Sequence, residues 1–159
     1  MNFNEKFNKD LKWGEIGEQI ITEHLENKGY RILHYNKNMD YDLKVEKDGF
    51  VKTIEIKTDR YEYFKNKITN NMFLEVECNG KKSGIMGTKA DYFIYFYPDH
   101  ELFYLIRIDG IRELVNYGVR SGFSGDGGKV IGYNINRFEF EEHFHIIKIT
   151  KNEIWDEQK

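Results

Sequence analysis

The sequence predicts one α/β domain spanning residues 1–159, and three observations lead to this expectation. A chain of 159 residues is long enough for one sizeable core and short for two. An amphipathic helical segment precedes a series of short alternating segments that are typical of strands. The sequence contains no internal repeat, low-complexity block or linker at which a second domain would begin.

An amphipathic helix is predicted over residues 10–28. Apolar side chains recur along it at helical spacing from Trp13 to Leu25, and Gly29 follows as a C-terminal cap. Glu18 falls at the edge of the apolar stripe, beside Ile21 and Leu25. A carboxylate is unusual in that position, so Glu18 is a candidate functional residue.

The segments after the helix are predicted to be strands separated by turns. Alternation or aromatic content indicates strands over residues 30–35, 41–47, 50–58, 72–78, 91–97 and 101–108. Residues 83–90 fit a short helix or a loop, and residues 109–116 fit a brief helix. Residues 118–132 are rich in glycine and are expected to form a flexible loop. Residues 137–149 alternate like an edge strand.

The composition excludes several classes of protein. Hydrophobic residues make up 40% of the chain and aromatic residues 16%, which is too apolar for a disordered protein. No apolar run approaches the roughly 18 residues of a membrane-spanning helix, and the first 13 residues lack a signal-peptide core. Cys78, the single cysteine, cannot form an internal disulfide. We therefore expect a soluble, cytoplasmic protein with no membrane partner.

The charge balance argues against a protein that coats nucleic acid through bulk charge. The chain carries 24 basic and 27 acidic residues, a net charge of −3. Binding through phosphate contacts alone requires a strongly basic surface. A small basic surface around an acidic site is compatible with this balance.

The pair Asp48-Gly49 predicts a two-residue hairpin turn, which sets the register of the strands on either side. In that register Asp42 faces Glu55, and Lys57 lies two residues further along the same face. Opposed residues have Cβ atoms roughly 4.5–5.5 Å apart. Two carboxylates at that distance repel each other, and a divalent metal ion relieves the repulsion. A solvated, charged strand face is the alternative, and a three-residue turn would shift the register.

The order of these residues resembles the PD-(D/E)xK nuclease superfamily, which includes restriction endonucleases, archaeal Holliday-junction resolvases and many phage nucleases. The resemblance rests on Gly14-Glu15-Ile16-Gly17-Glu18 in the helix, then Asp42, then Glu55-Ile56-Lys57. It covers roughly residues 10 to 97. It implies an α/β fold with a restriction-endonuclease-like αβββαβ core, in which helices flank a mixed central sheet. Extra strands would follow at the C-terminus.

The resemblance also implies roles for individual residues. The catalytic residues would be Glu18, Asp42, Glu55 and Lys57. Asp42 and Glu55 would bind Mg²⁺, for which Mn²⁺ substitutes, with the Ile56 backbone carbonyl as a third candidate ligand and Glu18 as a supporting carboxylate. The superfamily often has proline directly before the aspartate, whereas this chain has tyrosine there. Asp40, expected opposite Lys57, is the rival first aspartate.

A later stretch is similar to a phage or bacterial branch of the same superfamily. It comprises residues 71–75, Ser83-Gly84 and Thr88-Lys89-Ala90-Asp91. Glu75 in this stretch is a further candidate metal ligand, and a salt-bridged surface glutamate is the alternative. The candidate nucleic-acid contacts are Arg60, Lys65, Lys67, Lys81, Lys82, Ser83 and Lys89.

The implied function is Mg²⁺-dependent hydrolysis of DNA phosphodiester bonds in a bacterial or phage-infected cell. Such an endonuclease would act in DNA processing, repair or recombination on duplex or branched DNA, and a homodimer would place two sites on a duplex. Two rivals stay open. One is an inactive nucleic-acid-binding module of the same fold, and the other is an unrelated α/β interaction protein. Substrate choice resides in loops and assembly, which the sequence leaves undetermined.

Overall fold

The computed structural model of the chain describes residues 3–35, 40–59, 70–125 and 128–149. Within these ranges ten strands form two sheets. The first has the order β1-β2-β3-β6-β7-β10, made of Arg31–Tyr35, Leu43–Lys47, Phe50–Thr58, Tyr92–Tyr97, Leu102–Arg107 and His145–Lys148. The second has the order β5-β4-β9-β8, made of Lys81–Lys82, Asn71–Cys78, Gly128–Asn136 and Val119–Gly125.

The first sheet is mixed, as predicted. Strands β3 and β6 run parallel, and the other neighbours in this sheet are antiparallel. In the described part of the chain three α-helices accompany the sheets: α1 (Phe3–Asn27), the short α2 (Gly84–Gly87) and α3 (Ile108–Leu114). In chain order α1, β1, β2, β3, α2 and β6 follow the expected αβββαβ order, with β4 and β5 of the second sheet inserted between β3 and α2. Strands β7 and β10 extend the first sheet. The mixed α/β prediction is confirmed.

Helix α1 begins well before residue 10, where the apolar pattern placed its start. It ends as predicted, because Gly29 has φ +85°, a conformation that glycine adopts without steric cost. Ile20, Ile21 and Leu25 on this helix are buried. None of the helices that the structure describes is long and apolar enough to cross a membrane.

The hairpin between β2 and β3 has the predicted register. Asp48 and Gly49 have φ values of +52° and +81°, as a tight two-residue turn of this kind requires. Leu43 pairs with Ile54, and Lys47 pairs with Phe50. The next residue before Leu43 is Asp42, which therefore lies beside Glu55.

The two faces of the first sheet pack against different partners. Ile54 and Ile56 of β3 belong to an apolar cluster that includes side chains of α1. The opposite face carries Tyr95 and other aromatic side chains that form a second cluster with β4, β9 and α3. Successive side chains of a strand alternate between faces, so Glu55 and Lys57 project from the face opposite to that of Ile54 and Ile56.

The glycine-rich segment 118–132 was expected to be a flexible loop, and this expectation is wrong. Strands β8 and most of β9 occupy it, apart from residues 126–127, which lie outside the described ranges. At Gly132 an added Cβ would lie 2.5 Å from Cζ of Phe73 and 2.6 Å from the carbonyl oxygen of Leu74. Glycine is therefore required there because β4 and β9 approach each other closely.

The C-terminal segment forms an edge strand over fewer residues than predicted. Only His145–Lys148 pairs with β7, whereas residues 137–144 form turns and a short 3-10 helix. The alternating pattern of residues 137–149 therefore overstates the length of this strand.

Candidate active site

Asp42 lies directly before β2, at the point where the hairpin ladder ends. Its backbone N–H donates to the Ile54 carbonyl at 2.9 Å. Its carboxylate Oδ2 accepts a hydrogen bond from the Ile56 backbone N–H at 2.6 Å. The side chain thus bonds to the backbone of β3 and is held next to Glu55. Burial raises the pKa of Asp42, and the hydrogen bond from Ile56 opposes this rise.

Glu55 projects from the middle of β3 and is partly buried. Its Oε2 accepts a hydrogen bond from Oγ1 of Thr88 at 2.8 Å. Burial and the neighbouring charge of Asp42 raise the pKa of Glu55 to about 7, with a smaller contribution from Glu18. The hydrogen bond from Thr88 and the charge of Lys57 act in the opposite direction. Lys57 is therefore close enough to interact electrostatically with Glu55.

Glu18 is brought to this group by the close approach of α1 to β3. An added Cβ on Gly17 would lie 1.9 Å from Oγ1 of Thr58, so only glycine lets the helix lie at this distance. Burial, followed by the charges of Asp42 and Glu15, raises the pKa of Glu18 to about 7. Three carboxylates from three elements therefore interact, and a cation or a proton is needed to relieve their repulsion.

The donor set suits a hard divalent cation. Mg²⁺ is usually bound through one or two carboxylates, with water and substrate oxygens completing its shell. The hydrogen bonds above use Oδ2 of Asp42 and Oε2 of Glu55, which leaves one further oxygen on each carboxylate. Across the described ranges no group of three or more His, Cys, Asp or Glu side chains could hold a metal ion. Two carboxylates that each keep one further oxygen match the number of protein ligands that Mg²⁺ usually takes.

Asp40, the rival first aspartate, was expected to lie opposite Lys57, but it pairs with Lys89. Its Oδ1 lies 3.0 Å from Nζ of Lys89, and its carbonyl accepts the Lys89 backbone N–H at 2.7 Å. Asp42, in contrast, interacts with both Glu18 and Glu55. The geometry therefore favours Asp42 as the aspartate of the site.

A known protein family matches most of the chain. A family model described as PD-(D/E)XK endonuclease matches residues 8–119 of the chain, a range that contains Glu18, Asp42, Glu55 and Lys57. The chain belongs to the PD-(D/E)XK endonuclease family. The resemblance predicted from the sequence is confirmed.

Two further similarities cover parts of the chain. A UPF0102 protein of Flavobacterium johnsoniae is 38% identical over 48 residues, which are 28% of this chain and 39% of that protein. The chain therefore matches well under half the length of this curated relative. A solved structure of a bacterial homing endonuclease, I-Ssp6803I, is 21% identical with a TM-score of 0.47. That match covers 61% of this chain and 68% of the other.

Glu75, predicted as a further metal ligand, lies in the second sheet. Its Oε1 accepts a hydrogen bond from Oγ of Ser83 at 2.7 Å. Glu75 is absent from the charges that raise the pKa of Glu18 and Glu55. The structure thus pairs Glu75 with Ser83, and the Ser83 hydroxyl, predicted to meet a phosphate, is engaged in that pair.

Three of the basic residues that were predicted to contact nucleic acid lie within the described ranges. Lys81 and Lys82 are exposed on β5, at the edge of the second sheet. Lys89 follows α2 and pairs with Asp40, and its side chain is 74% exposed. The remaining predicted contacts lie outside the described residues; they are Arg60, Lys65 and Lys67.

Sequence reasoning assigned no role to Thr88 and Arg112, which both contribute to the site. Thr88 is buried and contacts Glu55, and Arg112 on α3 donates from Nη2 to the Thr88 carbonyl at 2.8 Å. Thr88 begins the motif Thr88-Lys89-Ala90-Asp91, but this motif by itself does not indicate a contact with Glu55. Glu55 and Thr88 are 33 positions apart in the sequence, so their contact depends on tertiary packing.

Proposed function

We propose that this protein is a Mg²⁺-dependent endonuclease that hydrolyses DNA phosphodiester bonds. One observation carries the proposal: in a chain of the PD-(D/E)XK endonuclease family, Asp42, Glu55 and Lys57 meet on one hairpin with Glu18 beside them. Buried carboxylates with raised pKa values are typical of functional sites. The proposed setting is bacterial or phage DNA processing, repair or recombination in the cytoplasm.

Asp42 and Glu55 would hold the Mg²⁺ ion, and Mn²⁺ would substitute for it. The Ile56 backbone carbonyl is a third candidate ligand. When bound, such an ion stabilises negative charge on a phosphate and activates water. Support comes from the mutual repulsion of Asp42 and Glu55, which a dication would turn into attraction.

Lys57 and Glu18 supply the remaining chemistry from the chain itself. The Lys57 ammonium, on the same strand face as Glu55, would stabilise charge that develops on the phosphate or hold the attacking water. Glu18, with a pKa of about 7, can exchange a proton with water near neutral pH. Thr88 donates to Glu55 and so keeps one of its oxygens fixed.

DNA binding would rely on a few basic side chains together with the metal. The net charge of −3 is unfavourable for broad electrostatic binding, but a bound dication offsets the acidic site. Lys81, Lys82 and Lys89 are the described candidates for phosphate contacts. A homodimer would allow two sites to act on the two strands of a duplex.

Cleavage assays with matched variants test this function. Supercoiled plasmid, linear duplex, single strand, fork, four-way junction and RNA are incubated with Mg²⁺, with Mn²⁺ or with EDTA. Glu55→Ala and Lys57→Ala should abolish metal-dependent cleavage while the protein stays folded. Glu46→Ala and Lys52→Ala, on the same hairpin away from the carboxylate group, should retain cleavage.

The outcomes separate the proposal from its rivals. Metal-dependent DNA cleavage by the wild type that Glu55→Ala abolishes supports the endonuclease. Metal-independent DNA binding without cleavage would indicate an inactive nucleic-acid-binding module. Neither binding nor cleavage across the panel would point to an interaction protein, and cleavage by Glu55→Ala at the wild-type rate would overturn the site.

A further inference from the structure

Thr88 occupies a buried position between the two segments that carry the carboxylates. Its side chain is 5% exposed. Its Oγ1 lies 2.8 Å from Oε2 of Glu55 on β3 and 3.0 Å from the carbonyl oxygen of Asp40, two residues before Asp42. A single hydroxyl thus contacts both sides of the site.

The direction of the Thr88 hydroxyl proton is restricted by a third contact. The Ala90 backbone N–H donates to Oγ1 at 3.2 Å, so this oxygen also acts as an acceptor. The hydroxyl proton is then directed to Glu55 or to the Asp40 carbonyl, both of which are acceptors. A hydrogen bond to an ionised carboxylate is stronger than one to a carbonyl, so the charged form of Glu55 favours the first arrangement.

Arg112 holds the backbone around Thr88. From α3 its Nε donates to the Ile85 carbonyl and its Nη2 donates to the Thr88 carbonyl, each at 2.8 Å. The planar guanidinium thereby fixes both α2 and the residue that follows it. On the other side, the Lys89 backbone N–H donates to the Asp40 carbonyl at 2.7 Å.

We propose that Thr88 is a positioning residue that holds Glu55 in the orientation needed to share a metal ion with Asp42, and that Arg112 holds Thr88 in place. This inference rests on the proposed function and deepens it. Without a metal ion the charges of Asp42 and Glu55 push the two side chains apart. The hydroxyl of Thr88 opposes that displacement because it binds Glu55 and is itself tied to the segment that leads into Asp42.

Metal binding to the DNA-free full-length protein tests the inference directly. Calorimetric titration with Mn²⁺ measures the Kd for wild type, Thr88→Val, Thr88→Ser and Thr53→Val. Thr88→Val keeps the shape of the side chain and removes the hydroxyl, and we expect its Kd to rise about 10- to 100-fold, as for other residues that orient metal ligands. Thr88→Ser restores the hydroxyl and should stay within about threefold of wild type.

Thr53→Val is the matched control. Thr53 lies on β3 and its hydroxyl is engaged with Asp91: it donates to Oδ2 at 3.0 Å and accepts from the Asp91 backbone N–H at 3.0 Å. Its Kd for Mn²⁺ should equal that of wild type. If the Kd for Mn²⁺ rose only because the segment after α2 became less ordered, it would rise in Thr53→Val as well.

Cleavage kinetics provide a second readout that simple destabilisation would not reproduce. For Thr88→Val the Mg²⁺ concentration at half-maximal rate should rise, while KM for DNA stays near the wild-type value. If Thr88→Val does not fold, Arg112→Lys keeps the positive charge and loses the planar fork. That variant should then raise the Kd for Mn²⁺ several-fold.

Three results would overturn the inference. Thr88→Val with wild-type Mn²⁺ affinity would show that the hydroxyl does not position Glu55, and Thr88→Ser as weak as Thr88→Val would show that the hydroxyl is irrelevant. In both cases the proposed function stands if the wild type binds metal and cleaves DNA. A wild type that neither binds Mn²⁺ nor cleaves DNA would overturn both the inference and the proposed function.

Discussion

Replacement of Glu55 by glutamine should stabilise the metal-free protein at alkaline pH. Glutamine keeps the shape of the side chain and an oxygen that can accept the hydrogen bond from Thr88. It removes the Glu55 carboxyl group, whose pKa is raised from 4.5 to about 7, first by burial and then by the charge of Asp42. The substitution thereby ends the repulsion between the carboxylates that a metal ion would otherwise relieve.

The expected gain in the free energy of unfolding follows from the change in the pKa of Glu55. A rise from 4.5 to about 7 corresponds to at most about 3–4 kcal/mol. Part of the side chain is exposed to solvent, and glutamine still carries a desolvation cost. We therefore expect Glu55→Gln to unfold with a free energy about 1–2 kcal/mol higher than wild type at pH 8 in EDTA.

The raised pKa of Glu55 also determines how the free energy of unfolding changes with pH. Between about pH 4.5 and 7 the folded wild type retains a proton on Glu55 that the unfolded chain releases. The free energy of unfolding of the wild type therefore falls as pH rises through that window. The advantage of Glu55→Gln should be present at pH 8 and largely absent at pH 5, where Glu55 is protonated in the folded state.

Urea unfolding followed by circular dichroism at pH 8 and pH 5, in EDTA, measures this difference. Glu46→Gln is the control, because Glu46 is on the same hairpin and pairs with Arg31 on the surface. Mg²⁺ at 100 times its Kd for the wild type should raise the free energy of unfolding of the wild type by about 2.7 kcal/mol. The same concentration should stabilise Glu55→Gln less. The prediction fails if Glu55→Gln is less stable than wild type at pH 8, or if it exceeds the stability of wild type by the same amount at pH 5 as at pH 8.

Two further predictions concern the packing that supports the site. Gly17→Ala should lower the free energy of unfolding by about 1–3 kcal/mol through its clash with Thr58, whereas Gly14→Ala, with no atom within 4 Å, should be neutral or stabilising. Equal stability of the two variants in urea would contradict the close approach of α1. Tyr95→Phe should cost about 1–3 kcal/mol, because the buried tyrosine hydroxyl donates to Oδ2 of Asp59 at 2.8 Å. An unchanged urea midpoint would show that this hydrogen bond contributes no net stability.

The hairpin that carries the site could be predicted because its determinants are local. Asp48 and Gly49 specify the turn, the turn specifies the register, and the register brings Asp42 beside Glu55. The edge position of Glu18 likewise follows from the helical period. These features depend on residues close together in sequence, so their chemistry can be read without the rest of the fold.

The remaining features depend on tertiary packing and could not be predicted. Thr88 contacts Glu55 across 33 positions of sequence, and Arg112 contacts Thr88 across 24. No periodic pattern marks such contacts. The prediction of a flexible loop over the glycines of β8 and β9 failed for a related reason: at Gly132 the absence of a side chain allows close packing against Phe73. Composition alone does not distinguish this requirement from flexibility.

The net charge of −3 includes the carboxylates of the candidate site. Glu18, Asp42 and Glu55 interact with one another, and a bound dication would offset part of their charge. The acidic balance is thus compatible with a metal-dependent enzyme that makes few phosphate contacts. It predicts weak DNA affinity without metal.

In the proposed function, Asp42 and Glu55 form a metal-dependent site for phosphodiester hydrolysis. The most direct measurement is the single-turnover nicking rate of supercoiled plasmid by wild type and Asp42→Asn, in Mg²⁺ and in EDTA. We predict a wild-type rate at least about 100-fold higher in Mg²⁺ than in EDTA, and loss of that increase in Asp42→Asn. Equal rates in Mg²⁺ and EDTA, or an Asp42→Asn rate equal to wild type, would contradict the claim.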